Sequence, residues 1–107
     1  MPRALHHPTR GQLTLAGVLH ALGDPVRLAF VQRLASCPKG SPMNCTTVGE
    51  VMAGLALSTR HHHMRILREA GVLRSVPEGK EVLNTLRKED LEARFPGLLK
   101  TILKQQL

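Results

Sequence analysis

The chain has no tryptophan, no tyrosine and only two phenylalanines, Phe30 and Phe95. With so few aromatics the core must be filled mainly by Leu, Val, Ile, Ala and Met. Single-stranded nucleic acid, whose bases are usually held by stacking on aromatic rings, is a poor match for such a surface. No apolar run approaches the roughly 20 residues that span a bilayer, and Met1 to Gln12 lacks an apolar signal core, so the expectation is a cytoplasmic protein with no membrane partner. Carboxylates are scarce too: eight Asp and Glu face 15 Lys and Arg, for a formal charge of +7. There is no Ser/His/Asp or Cys/His arrangement with an orienting carboxylate, and no glycine-rich phosphate loop, so an enzyme is not expected.

What is present points to a polyanion. Between Ser58 and Lys88 stand Arg60, Arg65, Arg68, Arg74, Lys80, Arg87 and Lys88, against Glu69, Glu78 and Glu81. Basic side chains concentrated in one stretch, without aromatics, favour duplex DNA. The length of 107 residues fits one small domain, which buries only about two-thirds of the surface of its unfolded chain, so a partner subunit would help to cover its apolar residues.

The stretch Ser58 to Leu73, STRHHHMRILREAGVL, reads as a helix around which the remainder is organised. Met64, Leu67 and Ala70, with His63 and Ile66 beside them, recur at helical spacing, and Gly71 supplies a C-terminal stop. The other side carries Ser58, Thr59, His61, His62, Arg65 and Arg68, with no acid among them. Ser58 and Thr59 are expected to cap the first turn and leave its N–H groups facing outward, as a helix that reads the major groove requires.

Taken in order, residues 1–12 form an expected flexible, irregular arm and residues 13–107 one domain. Leu15, Val18, Leu19 and Leu22 predict a first helix over 13–22. Asp24-Pro25 starts a second, with Leu28, Val31, Leu34 and Ala35 as its buried face and Phe30 adjacent, as far as Ser36. Cys37 to Asn44 is a loop. Thr46 or Thr47 caps a short third helix through Val48, Val51 and Met52, and Gly54 to Leu57 turns into the fourth. Val72–Val76 and Glu81–Leu86 alternate as strands around a Pro77-Glu78-Gly79-Lys80 turn, whose Lys80 can reach a phosphate. A last helix opens at Lys88-Glu89-Asp90, with Leu91, Phe95, Leu98, Leu99, Ile102 and Leu103 as an apolar stripe that Pro96-Gly97 breaks or kinks. The order α-α-α-α-β-β-α predicts a mainly α fold with a small β-hairpin wing, an α+β arrangement. Leu15 and Leu19 on the first helix, with Phe95, Leu98, Leu99 and Ile102 on the last, are the expected homodimer interface.

Three segments resemble the ArsR/SmtB family of winged helix-turn-helix regulators. Ser58 to Leu73 resembles the family's S-T-x-S-H-H-L-K-x-L-R-E-A-G-L, Leu22 to Leu28 its L-x-D-P-x-R-L, and Arg74 to Arg87 its wing, a likeness covering roughly residues 13 to 103. The resemblance implies a sequence-specific regulator of transcription, most often a repressor, that binds an inverted repeat in double-stranded DNA as a homodimer. It carries the DNA contacts onto Ser58, Thr59, Arg60, His61, His62, Arg65, Arg68 and Lys80, with His62 nearer the groove and His63 nearer the core. His61 stands where the family often has serine. Arg60 stands where a β-branched apolar residue is usual, so its side chain is expected to snorkel outward. Two readings compete with this one: a winged-helix protein-interaction module, and an architectural DNA binder without sequence preference.

Members of the family release DNA when a metal ion or an oxidant reaches a site off the DNA face. Of the family's Cys-x-Cys-Asp metal motif at most Cys45 survives here, and the last helix has Asp90 and Glu92 but no histidine for the family's second site. Neighbouring helical residues point about 100° apart, so His61, His62 and His63 do not converge on one ion. The remaining candidates are His6, His7 and Cys45 for Ni, Zn or Co, and Cys37 with Cys45 for a redox switch across the loop between them. Against these stands the simpler reading, with Cys37 a small apolar filler at a helix end and Cys45 incidental.

Overall fold

In the computed structural model, residues 5–36, 48 and 51–105 are described. A short 3-10 turn (Arg10–Gln12) leads into α1 (Leu15–Leu22) and α2 (Pro25–Ala35); α3 (Leu57–Glu69), strands β1 (Leu73–Glu78) and β2 (Glu81–Leu86), α4 (Lys88–Arg94) and α5 (Leu98–Leu103) follow. Most of the expected third helix lies outside the described residues. Val48 and Val51 are helical, and the Met52 N–H donates to the Val48 carbonyl at 2.8 Å.

Local chemistry sets each boundary. Thr14 Oγ1 accepts the Gly17 N–H at 3.1 Å, so α1 begins at Leu15, two residues later than the apolar spacing predicts. Leu13 lies ahead of the helix, yet it is buried. Asp24 Oδ2 accepts the N–H groups of Val26 and Arg27 at 2.9 and 3.1 Å, with Pro25 at the first helical position. Burial acts to raise the Asp24 pKa, but the Arg27 N–H and guanidinium, His63 and the Val26 N–H outweigh it and hold the carboxyl below its ordinary value. On α2 the buried set is Arg27, Phe30, Val31 and Leu34. Phe30 is the centre of that face rather than its neighbour, while Leu28 and Ala35 are half-buried.

The C-terminus of α3 closes as a Schellman motif. The Val72 N–H donates to the Leu67 carbonyl and the Gly71 N–H to that of Arg68, with Gly71 at φ +85°. A Cβ on Gly71 would lie 1.9 Å from Leu13 Cδ2, so the same glycine that ends the helix lets Leu13 seat against it. The core joins Val18, Ala21 and Leu22 of α1 to Phe30, Val31 and Leu34 of α2, Met64 and Leu67 of α3, Leu73 of β1, and Leu91 and Leu99 of the last two helices.

The wing is a two-stranded antiparallel sheet in register from Leu73↔Leu86 to Glu78↔Glu81. Its turn is narrower than the four residues predicted: Pro77 pairs with Val82 within the ladder, and Gly79-Lys80 alone turn the chain, Gly79 at φ +62° as a II′-type hairpin requires. The predicted break at Pro96-Gly97 divides the last helix into α4 and α5, with Gly97 at φ +82°. Leu99 is 7% exposed and belongs to the protomer's own core, which removes it from the expected interface. Phe95, Leu98 and Ile102 are half-buried. Gln32 Nε2 fastens α5 to α2 through the carbonyls of Ile102, at 3.4 Å, and Gln105, at 2.7 Å. Leu15 and Leu19 of α1 stay 47% and 46% exposed.

Residues 5–9 of the expected flexible arm have neither helix nor strand, but they are fastened rather than free. Arg87 Nη1 donates to the Pro8 carbonyl at 2.9 Å, and Arg10 Nε meets Asp90 Oδ1 at 2.7 Å.

Candidate nucleic-acid interface

Helix α3 turns two unlike sides to its surroundings. His63, Met64 and Leu67 are buried, whereas Ser58, His61, His62 and Arg65 are exposed on the opposite side. The helix begins one residue before Ser58, with Ala56 as its cap and no side-chain cap bond. Ser58 and Thr59 are therefore first-turn residues instead of caps. Their hydroxyls are not consumed at the helix end, and the first-turn N–H groups carry no side-chain cap, an arrangement that favours an anion. Leu57, 65% exposed, starts this end.

Each arginine of the helix has a different role. Arg60 does not reach outward as expected: it is half-buried, and its Nε donates to the Leu55 carbonyl at 3.1 Å, locking the turn that enters α3. Arg65 is exposed and sits 3.9 Å from Glu69 Oε1, an i,i+4 pair too wet to hold it in place. It is the cation of α3 best placed to leave the protein surface. Arg68 is half-buried and faces a groove between α3 and the wing, bordered by Leu5, Ser75, Val82 and Asn84. Its Nε is buried without a hydrogen-bond partner among the described residues. Lys80 is exposed at the tip of the wing, beyond the Ser75–Asn84 pair, whose hydroxyl donates to Oδ1 at 2.7 Å in the wing's buried base.

Beneath α3 lies Arg27, a residue of the Leu22 to Leu28 motif to which the sequence assigns no role. Arg27 is only 7% exposed. Its Nε donates to the Ala21 carbonyl at 2.7 Å, Nη2 to that of His20 at 3.2 Å, and Nη1 lies 3.0 Å from His63 Nδ1. A guanidinium only donates, so Nδ1 is the acceptor and Nε2 carries the ring proton. Asp24 Oδ2 stands 4.0 Å from the same Nδ1. Helical spacing puts Arg27, Phe30, Val31 and Leu34 on one face, which buries the arginine with them.

Of the metal and redox candidates, His6 and His7 lie among the described residues. His7 is half-buried and its Nε2 accepts the Ser75 N–H at 2.9 Å. Burial, then the cations Arg74, Arg68 and Arg87, lower its pKa, opposed by its hydrogen bond with the Leu5 backbone. His6 is exposed. Cys37 and Cys45 lie outside the described residues. Among the described residues no three His, Cys, Asp or Glu side chains group as a metal site.

A helix with a hydrogen-bonding, cationic outer face, entered by a tight turn and followed by a basic-tipped hairpin, defines a winged helix-turn-helix DNA-binding domain. The helix-turn-helix domain family matches residues 22–76, from the end of α1 through α3 into β1. An uncharacterized HTH-type transcriptional regulator of Bacillus subtilis (strain 168), YceK, is 30% identical over 87 residues, which cover 81% of this chain and 84% of that protein. Among solved structures, an ArsR family transcriptional regulator aligns with a TM-score of 0.62 and 27% identity, covering 81% of this chain and 90% of that one. The transcriptional repressor BigR from Xylella fastidiosa aligns with a TM-score of 0.56 and 26% identity, covering 86% and 88%. This chain belongs to the ArsR family of helix-turn-helix transcriptional regulators, and its family and fold are those of DNA-binding proteins rather than enzymes. Among the described residues no helix is long and apolar enough to cross a membrane.

Proposed function

We propose that this regulator is a homodimeric repressor that reads an inverted repeat in duplex DNA. The observation that carries the reading is the division of α3: its inner side is locked to α2 through His63 and Arg27, while Ser58, His61, His62 and Arg65 stand free on the outer side. A rigid helix with a free hydrogen-bonding face reads base edges; Lys80 and the first-turn N–H groups take phosphates. The exposed pair Leu15 and Leu19, with half-buried Phe95, Leu98 and Ile102, forms the apolar seam between subunits. Two α3 helices related by a two-fold axis would enter successive major grooves one helical turn apart. The relationship to a repressor, BigR, supports the direction of control.

Selection from a random duplex library tests this reading. An enriched inverted repeat with half-sites about 10 base pairs apart supports it. A single half-site, or no enrichment, rejects it. Leu19→Glu should yield a monomer by sedimentation and lose most of the affinity for the paired site; a dimer of wild-type affinity would place the seam elsewhere.

DNA affinity is further proposed to respond to thiol oxidation at Cys37 and Cys45, or to Ni, Zn or Co held by Cys45 with His6. His7 is committed to the Ser75 N–H and leaves this ligand set. If C37S and C45S respond to metal and oxidant as the wild type does, neither cysteine belongs to a sensor.

A further inference from the structure

We propose that the groove between α3 and the wing binds a small amphipathic carboxylate, whose head pairs with Arg68 and whose presence releases DNA.

The groove holds about 600 Å³, a volume ordinary for a small-molecule site. Leu5 from the arm, Val48, Leu57 and Met64 of α3, and Val82 of β2 give it apolar walls. The polar pair on its border is turned on itself, the Ser75 hydroxyl donating to Asn84 Oδ1 at 2.7 Å. One charged group faces this apolar space without an answer from the protein. Arg68 Nε is buried and has no hydrogen-bond partner among the described residues. The other two arginines of the border are engaged elsewhere: Arg60 Nε donates to the Leu55 carbonyl at 3.1 Å, and Arg65 is exposed beside Glu69 at 3.9 Å. Among the described residues no Asp or Glu borders the groove.

These features set the chemistry of the ligand. A buried N–H without an acceptor costs free energy that a ligand oxygen recovers, and an ionised acceptor recovers most. The planar fork of a guanidinium matches a carboxylate. A single negative charge is matched by Arg68, whereas a second, as on a phosphate monoester, would be buried against apolar walls without a partner. An apolar body gains by leaving water against Leu5, Met64 and Val82. A small anion such as acetate meets the charge alone, and an alcohol meets the walls alone.

The groove opens onto the outer face of α3, because Ser58, His61, His62 and Arg65 border it as well. A ligand seated there and a duplex lying on α3 therefore compete for the same side of the helix. This consequence, unlike the binding itself, rests on the function proposed above.

The test uses sodium octanoate as the probe. Octanol carries the tail without the charge, octylammonium the opposite charge, and acetate the head without the tail. Binding to the full chain is read by NMR at equal ionic strength, following the Arg68 Nε–H resonance. Octanoate should shift it saturably and bind about tenfold or more tighter than each control, as for one charge-assisted hydrogen bond added to an apolar contact. Arg68→Met keeps the length of the side chain and should lose the preference for octanoate over octanol, with its fold intact by circular dichroism. Val82→Trp narrows the groove, should weaken octanoate, and decides the matter if Arg68→Met does not fold. Octanoate that binds no tighter than octanol, or equally well in both variants, overturns the site. A resonance that moves with a short duplex and not with octanoate assigns Arg68 to the DNA phosphates and overturns it as well.

The second readout is affinity for labelled duplex from the protein's own upstream region. Octanoate at about ten times its Kd should weaken wild-type binding by about tenfold or more, as a simple competitor does. Arg68→Met should not respond to octanoate at whatever affinity it retains. Duplex affinity that is unchanged with the groove filled overturns the release of DNA. A protein with no preference for its own duplex counts against the proposed function, and the Arg68 resonance still decides the site.

Discussion

Arg27 Nη1 lies 3.0 Å from His63 Nδ1, and through that contact the second helix holds the inner side of the recognition helix. The same guanidinium satisfies the carbonyls of His20 and Ala21 at the end of α1, so one buried side chain ties three helices together. Removing it strands three acceptors. Arg27→Met should lower the unfolding free energy by on the order of 3 kcal/mol in urea titrations. Arg27→Lys should recover only part of this, because a point ammonium replaces a planar fork. A stable Arg27→Met variant would reduce the contact to coincidence.

Gly71 is required twice, once for its φ of +85° and once for the space that Leu13 Cδ2 occupies. Gly71→Ala must adopt a conformation that L side chains disfavour and also displace Leu13. The loss should exceed about 1 kcal/mol, read as a lower midpoint of thermal unfolding. An unchanged midpoint would mean that the helix end rearranges without cost.

Asp90 is held below the ordinary carboxylate value by hydrogen bonds from the Arg10 and Arg87 side chains, which outweigh the opposing effect of burial. A depressed carboxylate contributes stability above its unfolded value of 3.8, and the contribution is lost as pH falls through the lower folded value. The stability difference between wild type and Asp90→Asn should therefore be flat from neutral pH to about 4 and shrink below it. A difference that is constant into strong acid would assign the effect to packing.

The two exposed cations of the DNA face should separate by readout. Arg65→Ala should cost about 1–3 kcal/mol on the specific duplex and less on random DNA, as expected of a group that reads a base edge. Lys80→Ala should weaken both alike and reduce the salt slope by about one, as expected of a phosphate contact. Equal losses on both duplexes for Arg65→Ala would make it a second phosphate contact.

Much of this arrangement is legible in the residues. Asp24-Pro25, Gly71 and Pro96-Gly97 act through local backbone chemistry, so the start of α2, the end of α3 and the break of the last helix follow from sequence alone. The outer face of α3 follows from periodicity, since Met64 and Leu67 fix which side is inside. The partners of individual side chains are harder to read. Arg60 looks like an outward cation, yet its nearest acceptor is the Leu55 carbonyl of the preceding turn. His7 looks like a metal ligand, because nothing local announces a hydrogen bond to Ser75, 68 positions away. Leu99 looks like a seam residue because periodicity places it on the apolar stripe without saying whether the protomer's own core or a partner covers it.

The most direct test of the regulator reading is a fluorescence-anisotropy titration of the protein into labelled duplex from its own upstream region and into a scrambled duplex, at fixed salt. The account predicts a preference for the native duplex of about 10³-fold or more. It also predicts a fall in affinity of about 10³–10⁵ between 50 and 200 mM salt, as for a dimer that touches 6–10 phosphates. Equal and weak binding to both duplexes would contradict it and move the weight to a protein-interaction or architectural role.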